Sequence, residues 1–155
     1  MTRRGLLATL LAAALATPAT AGCLFFCDDA GKPLPADKAL ASFTADLGAP
    51  LPTGVDLLAL YEGGFNDRFG QVKLRASLEG RDALLALIVP PGGQFAPLNG
   101  QQLEIIKAPG WDPLSHPDLT VAAGRLGRFA TTHVALAADP SDPALTLIYI
   151  TAFET

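Results

Sequence analysis

Strict alternation of apolar and polar side chains is clearest over Phe69–Ala76, where Val72, Leu74 and Ala76 take one side and Gln71, Lys73 and Arg75 the other. That period of two predicts a half-buried antiparallel strand with one wet face, from which Lys73 and Arg75 would point into solvent. The short apolar run at 55–61 predicts a partner strand, and the turn-rich tip Glu62-Gly63-Gly64-Phe65-Asn66-Asp67 joins the two into a hairpin. Helical spacing governs two other stretches. Over 37–47, Leu40, Phe43, Thr44 and Leu47 share a face, Asp37 offers a cap, and Gly48 with Pro50 ends the run. Over Leu78–Ile88, Leu84, Leu87 and Ile88 form the apolar stripe, Ser77 offers the N-cap, and Pro90-Pro91-Gly92-Gly93 terminates it. A short strand is expected at 103–107, an irregular stretch with three prolines at 108–120, and a last hairpin from 128–136 and 145–153. The order predicts an α+β fold: a two-layer sandwich, with an antiparallel sheet of about five strands and both helices on one face.

The first residues follow neither period. Arg3 and Arg4 precede a run from Gly5 to Ala16 that holds only Gly, Leu, Ala and one Thr, followed by Thr17-Pro18-Ala19-Thr20-Ala21. A basic start, an apolar run of about 12 residues and an Ala-x-Ala ending are the parts of a cleavable export signal, and the run is too short for a permanent membrane span. Residues 1–21 are therefore expected to leave as a signal peptide, 22–36 to serve as a linker, and 37–155 to form a single domain in the periplasm or outside the cell. The paired arginines suit either the general or the twin-arginine route. Two outcomes are open at Cys23. In the first, cleavage follows Ala21 and Cys23 pairs with Cys27 in an oxidising compartment. In the second, Thr20-Ala21-Gly22-Cys23 acts as a lipobox, with Thr20 where leucine is usual, and Cys23 carries a lipid anchor.

Without the signal, nine basic residues face fifteen acidic ones, a net charge of −6. That balance argues against nucleic acid as a partner and against electrostatic attachment to anionic lipid, which leaves a lipid on Cys23 as the route to a membrane. Two cysteines are too few for a structural zinc site, no cofactor motif is present, and the Asp-Pro pairs at 139–143 suit turn chemistry better than calcium. Neither a Gly-x-Ser-x-Gly nor a His-x-x-x-His pattern occurs, so no catalytic set is assigned. His133 falls in the strand opposite to Val134 and Leu136, on the side of Thr131. The densest chemistry lies between Trp111 and Asp118, where an indole, a hydroxyl, an imidazole and two carboxylates fall within eight residues. Trp111, Ser115, His116 and Asp118 are the candidate ligand-binding residues, with Trp111 as a platform and His116 as an acid or base. A prolyl loop whose Trp plugs the core and whose Asp and Ser cap turns is the competing structural reading.

Leu51-Pro52, then Tyr61-Glu62-Gly63-Gly64-Phe65-Asn66-Asp67-Arg68-Phe69, the helix Leu78–Ile88, Trp111-Asp112-Pro113 and Leu147-Ile148-Tyr149-Ile150 occur in that order. This resembles small uncharacterised bacterial exported proteins of the lipoprotein type over about residues 50–153. The resemblance implies the α+β layout and an envelope location, and no reaction. The resulting expectation is a non-catalytic binding or interaction module that meets a protein or small-molecule partner in the cell envelope. The alternatives are an inhibitor or immunity-type protein that neutralises a basic hydrolase, and a small hydrolase that uses the Trp111–Asp118 loop.

Overall fold

A computed structural model describes residues 31–64 and 67–154. The signal segment and the choice between a Cys23–Cys27 disulfide and a lipidated Cys23 lie outside those residues. The fold is α+β, with an open antiparallel sheet of six strands and two helices. In chain order the elements are α1 (Ala36–Leu47), β1 (Val55–Gly63), β2 (Phe69–Ala76), α2 (Leu78–Ile88), β3 (Ala96–Pro97), β4 (Thr120–Ala123), β5 (Thr131–Ala138) and β6 (Thr146–Phe153). The sheet order is β1-β2-β6-β5-β4-β3, so the first hairpin lies against the last strand of the second.

Both helices cover the same face. Phe43 and Ala39 of α1 and Leu84 and Ile88 of α2 pack on Val72, Leu74, Val134, Ile148 and Ile150 from the three central strands. Each of these larger side chains contributes about 1.5–3 kcal/mol when taken fully out of water. Ser77 caps α2 as expected, its hydroxyl accepting from the Gly80 amide at 3.1 Å. A Cβ on Gly80 would lie 2.7 Å from the Gly54 carbonyl, so only glycine lets α2 start directly on the loop before β1. In α1 the cap is different from the one expected. The helix begins at Ala36 after Pro35, whose fixed φ suits entry to a helix, and Asp37 sits in the first turn. Leu40 and Leu87, both expected in buried stripes, stand 44% and 50% exposed, because each helix meets the sheet along a line narrower than its apolar face.

The opposite face of the sheet departs most from expectation. Residues 103–107 form no strand, and the wet face of β2 is not wet at its centre: Gln71 is fully buried. An irregular segment from about residue 101 to 119 lies across this face. Its Leu103, Trp111 and Leu119 join Tyr61, Ala135, Leu147 and Tyr149 in a second apolar cluster. A chain without helix or strand has no internal hydrogen-bond ladder, so its backbone must find partners elsewhere. Gln71 supplies three of them. Its side-chain carbonyl accepts from the Ile105 and Ile106 amides at 2.8 and 2.7 Å, and its side-chain amide donates to the Ile106 carbonyl at 3.2 Å. The Leu103 carbonyl accepts from the Trp111 indole at 2.9 Å and from the Thr151 hydroxyl at 3.0 Å. Segment 103–107 therefore runs over the sheet, and the strand that extends the sheet is β4, followed by the two-residue β3.

Candidate functional site

From this covering segment the chain reaches Pro109 and turns through Trp111, Asp112 and the 3-10 turn Pro113–Ser115 to His116. The sheet offers it three long polar side chains. Tyr61 of β1 donates from its hydroxyl to the Pro109 carbonyl at 2.6 Å. Lys73 of β2 donates to the Gly110 carbonyl at 2.9 Å and to Asp112 Oδ1 at 2.6 Å. Tyr149 of β6 donates to the same Oδ1 at 2.9 Å, and its hydroxyl lies 2.8 Å from His116 Nε2. The single phenolic proton is spent on Asp112, so the phenol must accept from His116, and Nε2 carries a proton. The order of donation is His116 to Tyr149 to Asp112, with Lys73 as the second donor to the carboxylate.

The electrostatics follow from this order. Burial alone would raise the Asp112 carboxyl, but the hydrogen bonds from Lys73 and Tyr149, and the charge of Lys73, outweigh it and hold the group below its ordinary range. Burial and the Asp112 carboxylate push the Tyr149 phenol far above its ordinary value. Burial also raises Tyr61, with Asp112 adding to the effect. General acid–base pairs work when environment moves their pKa values toward the working pH. Here the carboxyl moves down and the phenol moves up, so one is a weaker base and the other a weaker acid. The geometry makes a clasp that pins the loop to the sheet.

The four residues singled out from the sequence separate. His116 belongs to the clasp. Trp111 is only 5% exposed and cannot offer a platform to a ligand; it meets Tyr149 edge-on at 5.3 Å between ring centroids and Tyr61 at 6.3 Å. Ser115 donates to the Asp112 carbonyl at 2.8 Å and closes the 3-10 turn. Asp118 accepts from the Ala138 amide at 3.0 Å and borders a small polar hollow with Arg81 and Thr120. Ser115 closes a local turn and Trp111 plugs the core, as the structural reading has it, whereas Asp118 closes no turn and instead ties its segment to the end of β5. Tyr149, Lys73 and Asp112 complete the clasp. Asp112 stood inside the noted stretch, but the two sheet residues lie 33 to 39 positions from their partners, and nothing local marks them. His133 sits half-buried opposite to Val134, with Nδ1 buried and unpartnered, and burial lowers its pKa. At Asp139 and Asp142 turn chemistry holds: Asp139 accepts from Ser141 and Asp142 from the Ala144 amide. Among the described residues no group of three or more His, Cys, Asp or Glu side chains is placed to hold a metal ion.

A second region is apolar. Between α1 and the outer strand β1 runs a groove of about 360 Å³, lined by Pro33, Leu34, Leu40, Leu57 and Leu58 among others. Leu58 lies at a register break between Leu57 and Ala59 and has no partner on β2. The irregularity leaves its side chain 45% exposed beside Leu40. The segment expected to be a linker contributes here. Leu34 donates its amide to the Leu60 carbonyl at 2.8 Å on the outer edge of β1, and Gly31 is buried against Lys107. No described helix is long and apolar enough to cross a membrane. No family model matches the chain, and no match was found among characterised proteins or solved structures.

Proposed function

We propose that the protein is a non-catalytic binding or interaction module of the cell envelope, delivered there by its N-terminal signal. The observation that carries this reading is that the clasp closes on itself. His116, Tyr149, Asp112 and Lys73 are the densest polar constellation at the loop that the sequence marks, and they spend their hydrogen bonds on one another. Asp112 is held below its ordinary range and Tyr149 above it, which suits a carboxylate and a phenol that hold a loop through a hydrogen bond. Away from the clasp, the surface offers a leucine-lined groove between α1 and β1 that could take an apolar segment. Cross-linking in intact cells, followed by recovery of the tagged protein from the envelope, should yield a partner in stoichiometric amount. Recovery of no partner across several growth conditions would overturn the reading. The inhibitor variant rests on the net charge of −6 and adds one expectation: association with a basic hydrolase should be fastest at low ionic strength.

A further inference from the structure

The groove between α1 and β1 has a direction, an edge and a charge, and together they describe what would fill it. β1 is the outer strand at one end of the sheet, whereas the other end closes with a two-residue strand containing Pro97, a blunted edge. The outer side of β1 already takes one extended segment, since the Leu34 amide reaches the Leu60 carbonyl there. Between that contact and Val55 the groove runs beside the same strand, with Leu40 and Leu58 standing about half exposed on it. Isolated exposed leucines are ordinary, but here two stand on one groove, one of them set out of register by a strand irregularity.

Charge narrows the occupant. The charged residues that line this groove and its shallow continuation past Ala41 and Thr44 are Asp37 and Asp56, both acidic. Arg75 reaches Asp56 at 3.4 Å and offsets part of that charge. A second copy of the chain would meet through the same patch on both partners and would bring these carboxylates toward their own kind. The chain's own apolar run Leu24-Phe25-Phe26 is followed by Asp28 and Asp29, again acidic. We infer that the groove docks an extended apolar segment of a partner protein that carries at least one lysine or arginine, laid along the outer edge of β1. This rests on the binding-module reading and adds the place and the chemistry of the partner segment.

A displayed library of random decapeptides, selected on the full exported protein, tests it. Enriched peptides should combine apolar residues at alternate positions with a lysine or arginine. Their affinity should weaken about tenfold or more in Leu40→Glu and in Leu58→Glu, and about threefold in Asp37→Asn, with the last effect fading as salt is added. Both leucines are exposed, so the variants should keep the wild-type circular dichroism. Enriched peptides without basic residues, or no enrichment, would overturn the inference. A dimer in sedimentation that Leu58→Glu abolishes would assign the groove to a second copy, and a tenfold gain in peptide affinity on replacing Phe25 and Phe26 by serine would assign it to the chain itself. Either outcome overturns it. Peptides that bind but ignore both leucines would overturn the groove and leave a binding module standing; an empty envelope cross-link would remove the module.

Discussion

The two faces of the sheet are covered by different means. On one, α1 and α2 bring their own hydrogen-bond ladders and are seated on the sheet by apolar contact from Phe43, Leu84 and Ile88, with polar ties such as Ser42 to Glu62 at the margin. On the other, a segment with no ladder is held by side chains that reach from the sheet to its backbone: Gln71, Thr151, Tyr61 and Lys73. Apolar contact is non-directional, while these anchors are directional and each satisfies a particular backbone group. The helical cover should therefore respond to lost volume, and the irregular cover to lost hydrogen bonds as well.

The largest effects come from the two plugs. Phe43→Ala and Trp111→Ala should each cost about 3–5 kcal/mol in urea unfolding, through the cavity each leaves. They should differ in what else they loosen. Trp111→Ala removes the indole donor from the Leu103 carbonyl and the ring packed against Tyr61 and Tyr149, so amide exchange should accelerate across 101–119 while α1 and α2 keep their protection. Equal loosening of both covers by either variant would break the contrast.

Next comes Gln71. Its replacement by alanine or by leucine leaves the Ile105 and Ile106 amides without their acceptor, and should cost about 2–4 kcal/mol. Leucine should do no better than alanine, although the site is fully buried. A stable Gln71→Leu protein would show that apolar contact alone holds the second cover.

The same contrast decides how much was legible in the sequence. Both helices, both hairpins and the burial of Val72 and Leu74 follow from local period, because the residues that make the pattern are those that meet the core. The cover over the second face does not. Gln71 alternates as a polar residue should, and its role appears only when Ile105 and Ile106 arrive 34 and 35 positions later. Residues 103–107 are apolar enough for a strand, but Gln71 and Thr151 take up backbone groups there that a neighbouring strand would otherwise pair with. The clasp was half visible. His116 and Asp112 share one short stretch, but Lys73 and Tyr149 enter through sheet register, where they are Cα partners across β2 and β6.

Smaller effects belong to the clasp. Tyr149→Phe keeps the ring against Trp111 and removes the hydroxyl between His116 and Asp112, at a cost of about 1–2 kcal/mol. The phenols also report directly. Tyr61 and Tyr149 are the two tyrosines of the chain, and both are raised above the ordinary value of 10.0. A group with a raised folded pKa contributes stability that is complete below the unfolded value and is lost as pH rises through the folded one. Phenolate absorbance should therefore stay absent as pH passes about 10 and appear only further into the alkaline range or on unfolding. Ionisation of Tyr149 at the ordinary pH in the folded protein would place it in water and dissolve the clasp as drawn, and the same result for Tyr61 would free the Pro109 carbonyl.

On the acid side the expected effects are smallest and fall in separate windows. The pKa of His133 is lowered by burial from 6.5, so the unfolded chain takes up this proton first and stability declines as pH falls from 6.5 toward the folded value. Asp112 is lowered from 3.8, so its contribution is complete above 3.8 and is lost as pH falls from there through the folded value. Asp139, lowered by its bonds to Ser141, acts in the same direction, whereas Asp46, raised by burial, acts in the opposite one. His133→Gln should flatten the decline below 6.5 and leave the alkaline behaviour of the tyrosines unchanged. Asp112→Asn should lower stability at neutral pH, flatten the steeper acid limb, and bring the Tyr149 phenol down, since the carboxylate that accepts its proton is gone. If Asp112→Asn leaves phenol ionisation where it was, burial alone sets the phenol, and the irregular cover rests on Trp111 and Gln71 rather than on the clasp.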